Sequence, residues 1–331
     1  MSTLSVVTRR SSRGPLYHVV QPPVPRIPDA YLECVVYLYR SEVDAEDGVH
    51  AGGSGFLVGM MSEGLSTEMV FLYVVTNKHV VRDCTVIRMK TKIGQKTVML
   101  TKKSDWVHHP DGDDLSACVI SFDPNEFRFK YAERTSFLTK EIVDTFKIGP
   151  GDDVFMVGRF INHEGRQLNL PSVRFGNIAQ MPIEPIKTES GFWQESFLIE
   201  IKSVGGYSGS PLFVQIPLFS NRSLDNWSPT STFPFQQQRE YDSLMSHGPW
   251  LLGIDWGHIN DWAPVCREDG KPVNSNPKAL QVKLNTGMAA VVPAWKLAQL
   301  LDDGPLADHR RHIVQLIIAD QTKSPPAATS D

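Results

Sequence analysis

The sequence contains few cysteines and no marked excess of one charge. Its 331 residues include four cysteines, 33 Lys or Arg and 37 Asp or Glu, which gives a net charge of −4. The cysteines form no CxxC pair and no Cys/His cluster with zinc spacing. This usage excludes a disulfide-rich or zinc-finger scaffold. We therefore expect four reduced thiols in a cytoplasmic protein.

Long apolar runs are also missing. The longest covers residues 69–75, whereas a membrane-spanning helix needs about 20 apolar residues. Arg9 and Arg10 could suggest a twin-arginine signal, but no apolar segment follows them, so we expect a solvated basic tail. With a pI of about 6.2, the sequence gives no electrostatic reason to expect nucleic acid or an anionic membrane as a partner.

Most of the chain consists of short β-prone runs separated by turn residues, and the first run covers residues 31–40. A Ser-, Arg- and Pro-rich arm, residues 1–29, precedes them. A break near residues 141–151 divides the runs into two sets of six. Because no helical segments alternate with these runs, the pattern favours all-β barrels or sandwiches over βαβ units.

Three later segments depart from the β pattern. Residues 217–249 are rich in Ser, Asn, Pro and Gln, which predicts a long surface insertion. Residues 292–303 predict an amphipathic helix with Pro293 in its first turn. Within a C-terminal extension, residues 304–331, the apolar stretch 313–318 predicts a helix or a strand.

Three widely separated segments supply the side chains of a nucleophilic site. A strand-like run leads into His79, Asp114 directly precedes an apolar strand, and Ser208 lies in the Gly-rich segment 205–210. A serine hydroxyl is a weak nucleophile at neutral pH and needs a base to take its proton. That base in turn needs a carboxylate to fix its tautomer. The sequence therefore predicts a catalytic triad of His79, Asp114 and Ser208.

The glycines around Ser208 predict a second feature of the same site. Gly206 and Gly209 allow a tight turn that directs the backbone N–H groups of Gly206 and Ser208 to one point. Such an oxyanion hole stabilises a developing negative charge by roughly 3 kcal/mol per donor.

A metal site near Asp114 is the alternative interpretation of this region. His108 and His109 are adjacent, and neighbouring strand residues point to opposite faces, which disfavours a shared ion. We interpret Asp111 and Asp113 as turn residues, with a cation site as the alternative. The prediction is no metal and no cofactor.

These motifs resemble the trypsin-like (chymotrypsin-fold) serine peptidases, and most closely their intracellular and HtrA-like members. Residues 76–79 (Thr-Asn-Lys-His) are similar to the family's Thr-Ala-Ala-His box, and residues 114–117 (Asp-Leu-Ser-Ala) to its Asp-Leu/Ile-Ala segment. Residues 206–211 (Gly-Tyr-Ser-Gly-Ser-Pro) resemble its Gly-x-Ser-Gly-Gly-Pro box, and residues 53–56 its Gly-rich strand. The likeness covers about residues 30–302.

The resemblance implies two six-stranded antiparallel β-barrels, in residues 30–140 and 147–303, followed by a C-terminal helix. It also implies a serine endopeptidase that cleaves protein or peptide substrates through an acyl-enzyme intermediate. No sequence resembling a PDZ domain follows the second barrel.

The family pattern also places a substrate-binding wall and a specificity pocket. A substrate strand would pair with Asp255, Trp256 and Gly257, and Trp256 would border the pocket. The pocket floor would lie near Lys202 and Ser203. A lysine there either favours acidic side chains or pairs with a neighbouring carboxylate.

Two departures from the family pattern bear on regulation. Tyr207 stands where digestive members carry an Asp that captures a newly formed N-terminal ammonium, so activation of that type is excluded. Ser210 replaces the second Gly of the nucleophile box. The alternative function is a protease-fold binding or scaffolding module with little activity of its own, gated by a regulatory partner at residues 217–249 or 304–320.

Overall fold

The first half of the chain forms one antiparallel sheet. The computed structural model describes residues 27–62, 69–93, 96–160, 165–166, 168–188, 191–201, 205–215, 249–274, 276 and 278–323. The strands of the first sheet are Val35–Tyr39 (β1), Gly53–Met61 (β2), Val70–Thr76 (β3), Val86–Lys90 (β4), Lys96–Leu100 (β5), Trp106–His108 (β6), Ser116–Ile120 (β7) and Ala132–Glu133 (β8). They follow the order β5-β4-β1-β2-β3-β7-β6, and β8 pairs in parallel with β2.

The second half forms a closed six-stranded barrel in the order β10-β13-β16-β15-β14-β9. A separate hairpin joins β11 and β12. The strands are Asp153–Gly158 (β9), Ser172–Gln180 (β10), Ile186–Lys187 (β11), Trp193–Gln194 (β12), Phe197–Glu200 (β13), Pro211–Val214 (β14), Trp250–Pro264 (β15) and Gln281–Pro293 (β16).

Of the helices that the structure describes, two lie within the first half, and the others lie before it, between the halves and after the barrel. They are Asp29–Glu33 (α1), Glu42–Asp47 (α2), Lys78–Val81 (α3), Lys140–Phe146 (α4), Ala294–Asp302 (α5) and Gly304–Lys323 (α6). Among the described residues, no helix has the length and apolar character needed to cross a membrane.

The predicted fold class is confirmed: the protein is mostly β, with a trypsin-like arrangement and C-terminal helices. The strands described in the first half leave its sheet open, whereas those of the second half close into a barrel. The domain boundaries at residues 30–140 and 147–303 stay a prediction. Residues 1–26 of the arm and residues 217–248 of the predicted insertion lie outside the described residues.

The structure corrects or decides the local sequence prediction in three places. Residues 29–33, part of which the pattern assigned to a strand, form α1, whose Tyr31 ring packs edge-on against Phe155 and Phe213 of the second barrel. Strands β15 and β16 run well beyond the barrel as a paired ribbon. The apolar stretch 313–318 belongs to the long helix α6.

Strand β1 shows how the two halves share a core. All five of its residues are buried because alternate side chains enter different clusters. Val36 and Leu38 join the core inside the first sheet. Val35, Tyr37 and Tyr39 join the larger cluster that continues into the second barrel. The contact between the halves is therefore built into the strand.

All four cysteines are free thiols, and Cys34, Cys84 and Cys118 are buried. Burial raises the pKa of the Cys34 and Cys118 thiols to about 12. At neutral pH these two side chains therefore pack as small neutral hydrophobes.

Arg88 is a buried polar link between the halves. This β4 side chain is fully buried, and its guanidinium lies over the ring of Tyr39 at 5.0 Å. It donates to the carbonyl of Gly165 at 2.8 Å and to the side-chain oxygen of Asn169 at 2.8 Å. Asn169 donates back to the Arg88 carbonyl at 2.8 Å. Because a buried charge needs every donor satisfied, this segment of the second half must dock where Arg88 reaches it.

We expect Arg88→Ala to lower the free energy of unfolding by about 3 kcal/mol, because it leaves buried acceptors unpaired and opens a cavity. Urea unfolding measures the loss. Arg128→Ala is the matched control, since Arg128 forms an exposed ion pair with Glu33 and should contribute less than about 1 kcal/mol. Equal losses in the two variants would contradict the assigned role of Arg88.

Candidate active site

The predicted catalytic residues line one cleft, to which both halves contribute. Its volume is about 980 Å³, and His79, Asp114 and Ser208 are among its lining residues. The first two belong to the sheet half and Ser208 to the barrel half, so three distant segments of the chain reach the same space.

His79 lies in the first turn of α3, directly after β3 ends at Thr76. A backbone N–H in this position has no acceptor within the helix, and a negative charge there is favourable. The His79 N–H donates to Oδ1 of Asp114 at 2.9 Å, and its Nδ1 lies 2.5 Å from Oδ2. Because an ionised carboxylate only accepts, Nδ1 carries the proton and Nε2 is left as an acceptor.

The backbone of Asp114 is fixed from both halves of the chain. Asn77, which precedes α3, donates from its side chain to the Asp114 carbonyl at 2.8 Å. From the barrel half, the side-chain oxygen of the buried Gln194 accepts from the Asp114 N–H at 2.9 Å. Sequence reasoning missed Gln194, because nothing in its neighbourhood distinguishes it from other polar residues between strands.

A buried polar cluster lies behind Gln194. The Gln194 amide donates to Oδ1 of Asp113 at 2.6 Å. Oδ2 of Asp113 lies 3.0 Å from Nδ1 of His109 and 3.2 Å from Nζ of Lys296 on α5. Burial alone would raise the pKa of Asp113, but the hydrogen bonds from His109 and Lys296 outweigh it and hold the pKa below its usual value. The cluster ties α5 to the loop that carries Asp114.

This cluster also accounts for the alternative metal interpretation. Within the described part of the chain, His109, Asp111 and Asp113 are the group whose ligand atoms lie within 4.8 Å of one another. The Lys296 ammonium lies 3.6 Å from Asp111 and 3.2 Å from Asp113, so a cation already offsets part of their charge. His108 is not part of the group; its Nδ1 lies 2.6 Å from Oγ of Ser116.

The loop of Ser208 is held by β2 of the other half. Gly209 has φ +86°, and a Cβ on it would come within 2.0 Å of the Ser54 carbonyl oxygen, so only glycine fits there. The Ser54 N–H donates to the Ser208 carbonyl at 2.9 Å. Its hydroxyl donates to the Gly206 carbonyl at 3.1 Å and accepts from the Arg159 N–H at 2.9 Å. Ser54, which we assigned only to a Gly-rich strand, therefore holds the loop through its hydrogen bonds to the Ser208 and Gly206 carbonyls.

The orientation of one predicted oxyanion donor follows from a neighbouring bond. The Tyr207 carbonyl accepts from the Ser210 N–H at 2.8 Å. In a trans peptide the N–H points away from the carbonyl, so the Ser208 N–H is directed away from Ser210. The role of the Gly206 N–H as the second oxyanion donor stays a prediction. Tyr207 itself is buried, and its hydroxyl contacts Oγ of Ser172 and accepts from Nε of Arg174.

The predicted substrate-binding wall follows the nucleophile loop along β15. Asp255 is buried, and its N–H and carbonyl pair with Ser210 and Gly209 at 2.9 and 2.8 Å. Trp256 donates from its indole to Oγ of Ser196 at 2.9 Å, and Gly257 also lines the cleft. The predicted pocket-floor residues Lys202 and Ser203 lie outside the described residues.

We expect Lys296→Met to destabilise the fold by about 3 kcal/mol at pH 7, because it leaves the Asp113 carboxylate buried without its ammonium partner. The pKa of Asp113 is lowered and that of Lys296 is raised in the folded state. The contribution of the pair is therefore present from about pH 4 to about pH 10 and is lost as Asp113 protonates in more acidic solution.

Urea unfolding at a series of pH values tests this dependence. The control is Lys140→Met, which removes an exposed ammonium from above the Trp295 ring and should cost less than about 1 kcal/mol. A large loss for Lys296→Met that persists unchanged in solution acidic enough to protonate Asp113 would show that the ion pair is not its cause.

Comparison with known proteins identifies the domain. Residues 53–215 match the family model described as a trypsin-like peptidase domain. No curated protein sequence matches the chain significantly.

Several solved structures are similar to this chain. The HtrA-type protease AlgW, solved with a tripeptide, shares 15% identity over 82% of this chain and 61% of its own, with a TM-score of 0.42. Rv3671c from M. tuberculosis H37Rv, in an inactive form, shares 14% identity over 85% of this chain and 95% of its own, with a TM-score of 0.40. Deg5 shares 17% identity over 56% of this chain and 75% of its own, with a TM-score of 0.34.

This chain spans about three fifths of the length of the AlgW chain. The match over residues 53–215 confirms the resemblance derived from the sequence motifs: this part of the chain is a trypsin-like peptidase domain.

Proposed function

We propose that the protein is a serine endopeptidase in which Ser208 attacks the substrate carbonyl, His79 takes its proton and Asp114 orients His79. The observation that carries this proposal is the pairing of His79 Nδ1 with the Asp114 carboxylate at 2.5 Å, in the cleft that Ser208 also lines. In the neutral ring, that pairing places the proton on Nδ1 and makes Nε2 the acceptor, which is the tautomer a general base requires.

The reaction proceeds in two stages. Oγ of Ser208 bonds to the peptide carbonyl carbon as its proton passes to His79. The C–N bond then breaks, and His79 returns the proton to the leaving amine. Water next attacks the acyl-enzyme as His79 takes its proton, and the C–Oγ bond breaks as His79 returns that proton to Oγ of Ser208. The N–H groups of Gly206 and Ser208 hold the oxyanion in both stages, at roughly 3 kcal/mol per donor.

Peptides are the substrates that the strand arrangement supports. Strand β14 pairs with β15 as far as Pro211 opposite Ile254, while β16 occupies the other edge of β15. From Trp256 to Pro264, the first edge has no partner strand among the residues described here. An extended peptide would add a strand at this edge, beginning beside the nucleophile loop.

In this proposal, the loop of Ser208 is held in place without an ion pair to a charged N-terminus. Tyr207 replaces the carboxylate that would pair with an ammonium, and its buried hydroxyl is bonded to Ser172 and Arg174. Ser54 binds the Gly206 and Ser208 carbonyls from the opposite half.

We assign the specificity pocket to Lys202 and Ser203.

Labelling with a fluorophosphonate probe tests the assignment of the nucleophile. We expect the protein to react, Ser208→Ala to lose labelling without loss of folding, and His79→Ala to be labelled about 10³-fold more slowly or worse. Ser210→Ala is the matched control, because Ser210 is two residues away and buried, and should keep full labelling. Labelling that survives in Ser208→Ala would overturn the assignment.

A partner-gated binding module is the second candidate. Leu316 and Ile318 on α6 are 53% and 40% exposed, so a partner docked along this helix would bury apolar surface. Unfolded casein separates the two candidates. Turnover by the isolated protein supports a free-standing peptidase, whereas a probe-reactive Ser208 without casein turnover supports the gated module.

A further inference from the structure

The cleft carries more positive charge than the composition of the chain suggests. Acidic residues outnumber basic ones in the whole sequence, 37 to 33. Among the residues that the structure describes, the Lys and Arg residues that line the cleft are Lys78, Arg82, Lys103 and Lys283, and the carboxylates are Asp114 and Asp255. The balance of charge in the cleft is therefore the reverse of that in the chain.

The two carboxylates are outnumbered by the four basic side chains, and their oxygens are engaged within the protein. Asp114 is engaged by His79 through both of its oxygens. Asp255 is 1% exposed, and its side chain accepts from the Gly257 N–H at 3.2 Å. Both groups are therefore turned into the protein framework, and neither is available to a bound peptide.

The basic side chains, in contrast, are open to solvent. Lys78 and Arg82 lie at the two ends of α3, and Lys103 lies in the short 3-10 turn before β6; all three are exposed. Within the described ranges, none of the three forms an ion pair with a carboxylate. The charge of Lys78 also affects a neighbouring side chain. Burial lowers the pKa of His108, and the charge of Lys78 lowers it further.

Lys283 carries the positive charge onto the β15–β16 ribbon. It lies directly opposite Trp262, and its ammonium is 5.9 Å from the centre of that ring. The same ribbon provides the open strand edge that begins at Trp256. A peptide paired with this edge would lie near Lys283 on the ribbon. The other three basic side chains of the cleft belong to the first half of the chain, on the opposite side.

We propose that the cleft selects polypeptide substrates that carry Asp or Glu side chains within a few residues of the scissile bond. This inference rests on the peptidase function proposed above and specifies its substrate class. It is independent of Lys202, since the four basic residues line the cleft without it. The open strand edge favours a peptide over a nucleic acid, because it offers backbone hydrogen bonds to an extended chain.

The first test compares two peptides with the same cleavable core, one flanked by Glu and the other by Gln at matched positions. Each exposed charge pair raises an equilibrium constant by up to about fivefold. Because more than one pair can form, we expect kcat/KM for the Glu peptide to exceed that for the Gln peptide about 10-fold. The ratio should approach one as salt rises from about 0.01 M to about 1 M, where the Debye length falls from about 30 Å to about 3 Å.

Charge reversal locates the effect in the cleft. Lys103→Glu is expected to lower the Glu-to-Gln ratio about fivefold, because it replaces an attraction by a repulsion. The matched control is Lys92→Glu, which reverses an exposed lysine in the turn between β4 and β5, outside the cleft. It should leave the ratio unchanged. Equal effects of the two variants would contradict the proposal.

The outcomes separate this proposal from the peptidase function itself. Equal cleavage of the Glu and Gln peptides by a probe-reactive protein overturns the acidic preference alone. Absence of probe labelling and of cleavage of either peptide overturns the peptidase function. Inhibition by a single-stranded oligonucleotide, without a preference for the Glu peptide, would assign the basic cleft to nucleic acid instead.

Discussion

The rest of the site depends on the Asp114 carboxylate, which holds two groups of His79 at once. One oxygen accepts the backbone N–H of His79 at the start of a helix, and the other lies beside its ring nitrogen. These two bonds set the position of the residue and the orientation of its ring together. They also specify which ring nitrogen is free to face the cleft. Without this arrangement, a serine in the neighbouring loop would have no base in a usable protonation state.

Each half of the molecule supports the part of the site that the other half supplies. Gln194 and Lys296, from the barrel half, secure the loop that carries Asp114. Ser54, from the sheet half, secures the loop that carries Ser208. The buried Arg88 connects the halves away from the cleft. The geometry of the site is therefore a property of the docked halves, and a change at their contact will disturb it even far from Ser208.

Charge is distributed unevenly over this framework. A net charge of −4 gives no indication of a basic cleft, because it sums over the whole surface. Among the described residues the cleft is basic because four exposed Lys and Arg side chains line it against two carboxylates, whose oxygens are engaged within the protein. Local potential depends on which charges are neutralised by partners, and that is decided by the fold.

Local patterns in the sequence were sufficient for the fold class, the helix at the start of the C-terminal region and the candidate residues His79, Asp114 and Ser208. Short β-prone runs and helical periodicity are properties of neighbouring residues, so they can be recognised without a structure. The same patterns gave a strand where Tyr31 lies in a helix, because its packing against Phe155 depends on a distant segment. They also missed the extent of the β15–β16 ribbon.

By itself, then, the sequence determined the class of fold and the residue types of a nucleophilic site in their order along the chain. Only the tertiary structure decided which side chains hold those residues in place. Gln194 bonds to a residue 80 positions away, and Ser54 to one 152 positions away. Such partners carry no local signature, since hydrogen bonds at this separation arise only when the two halves pack together.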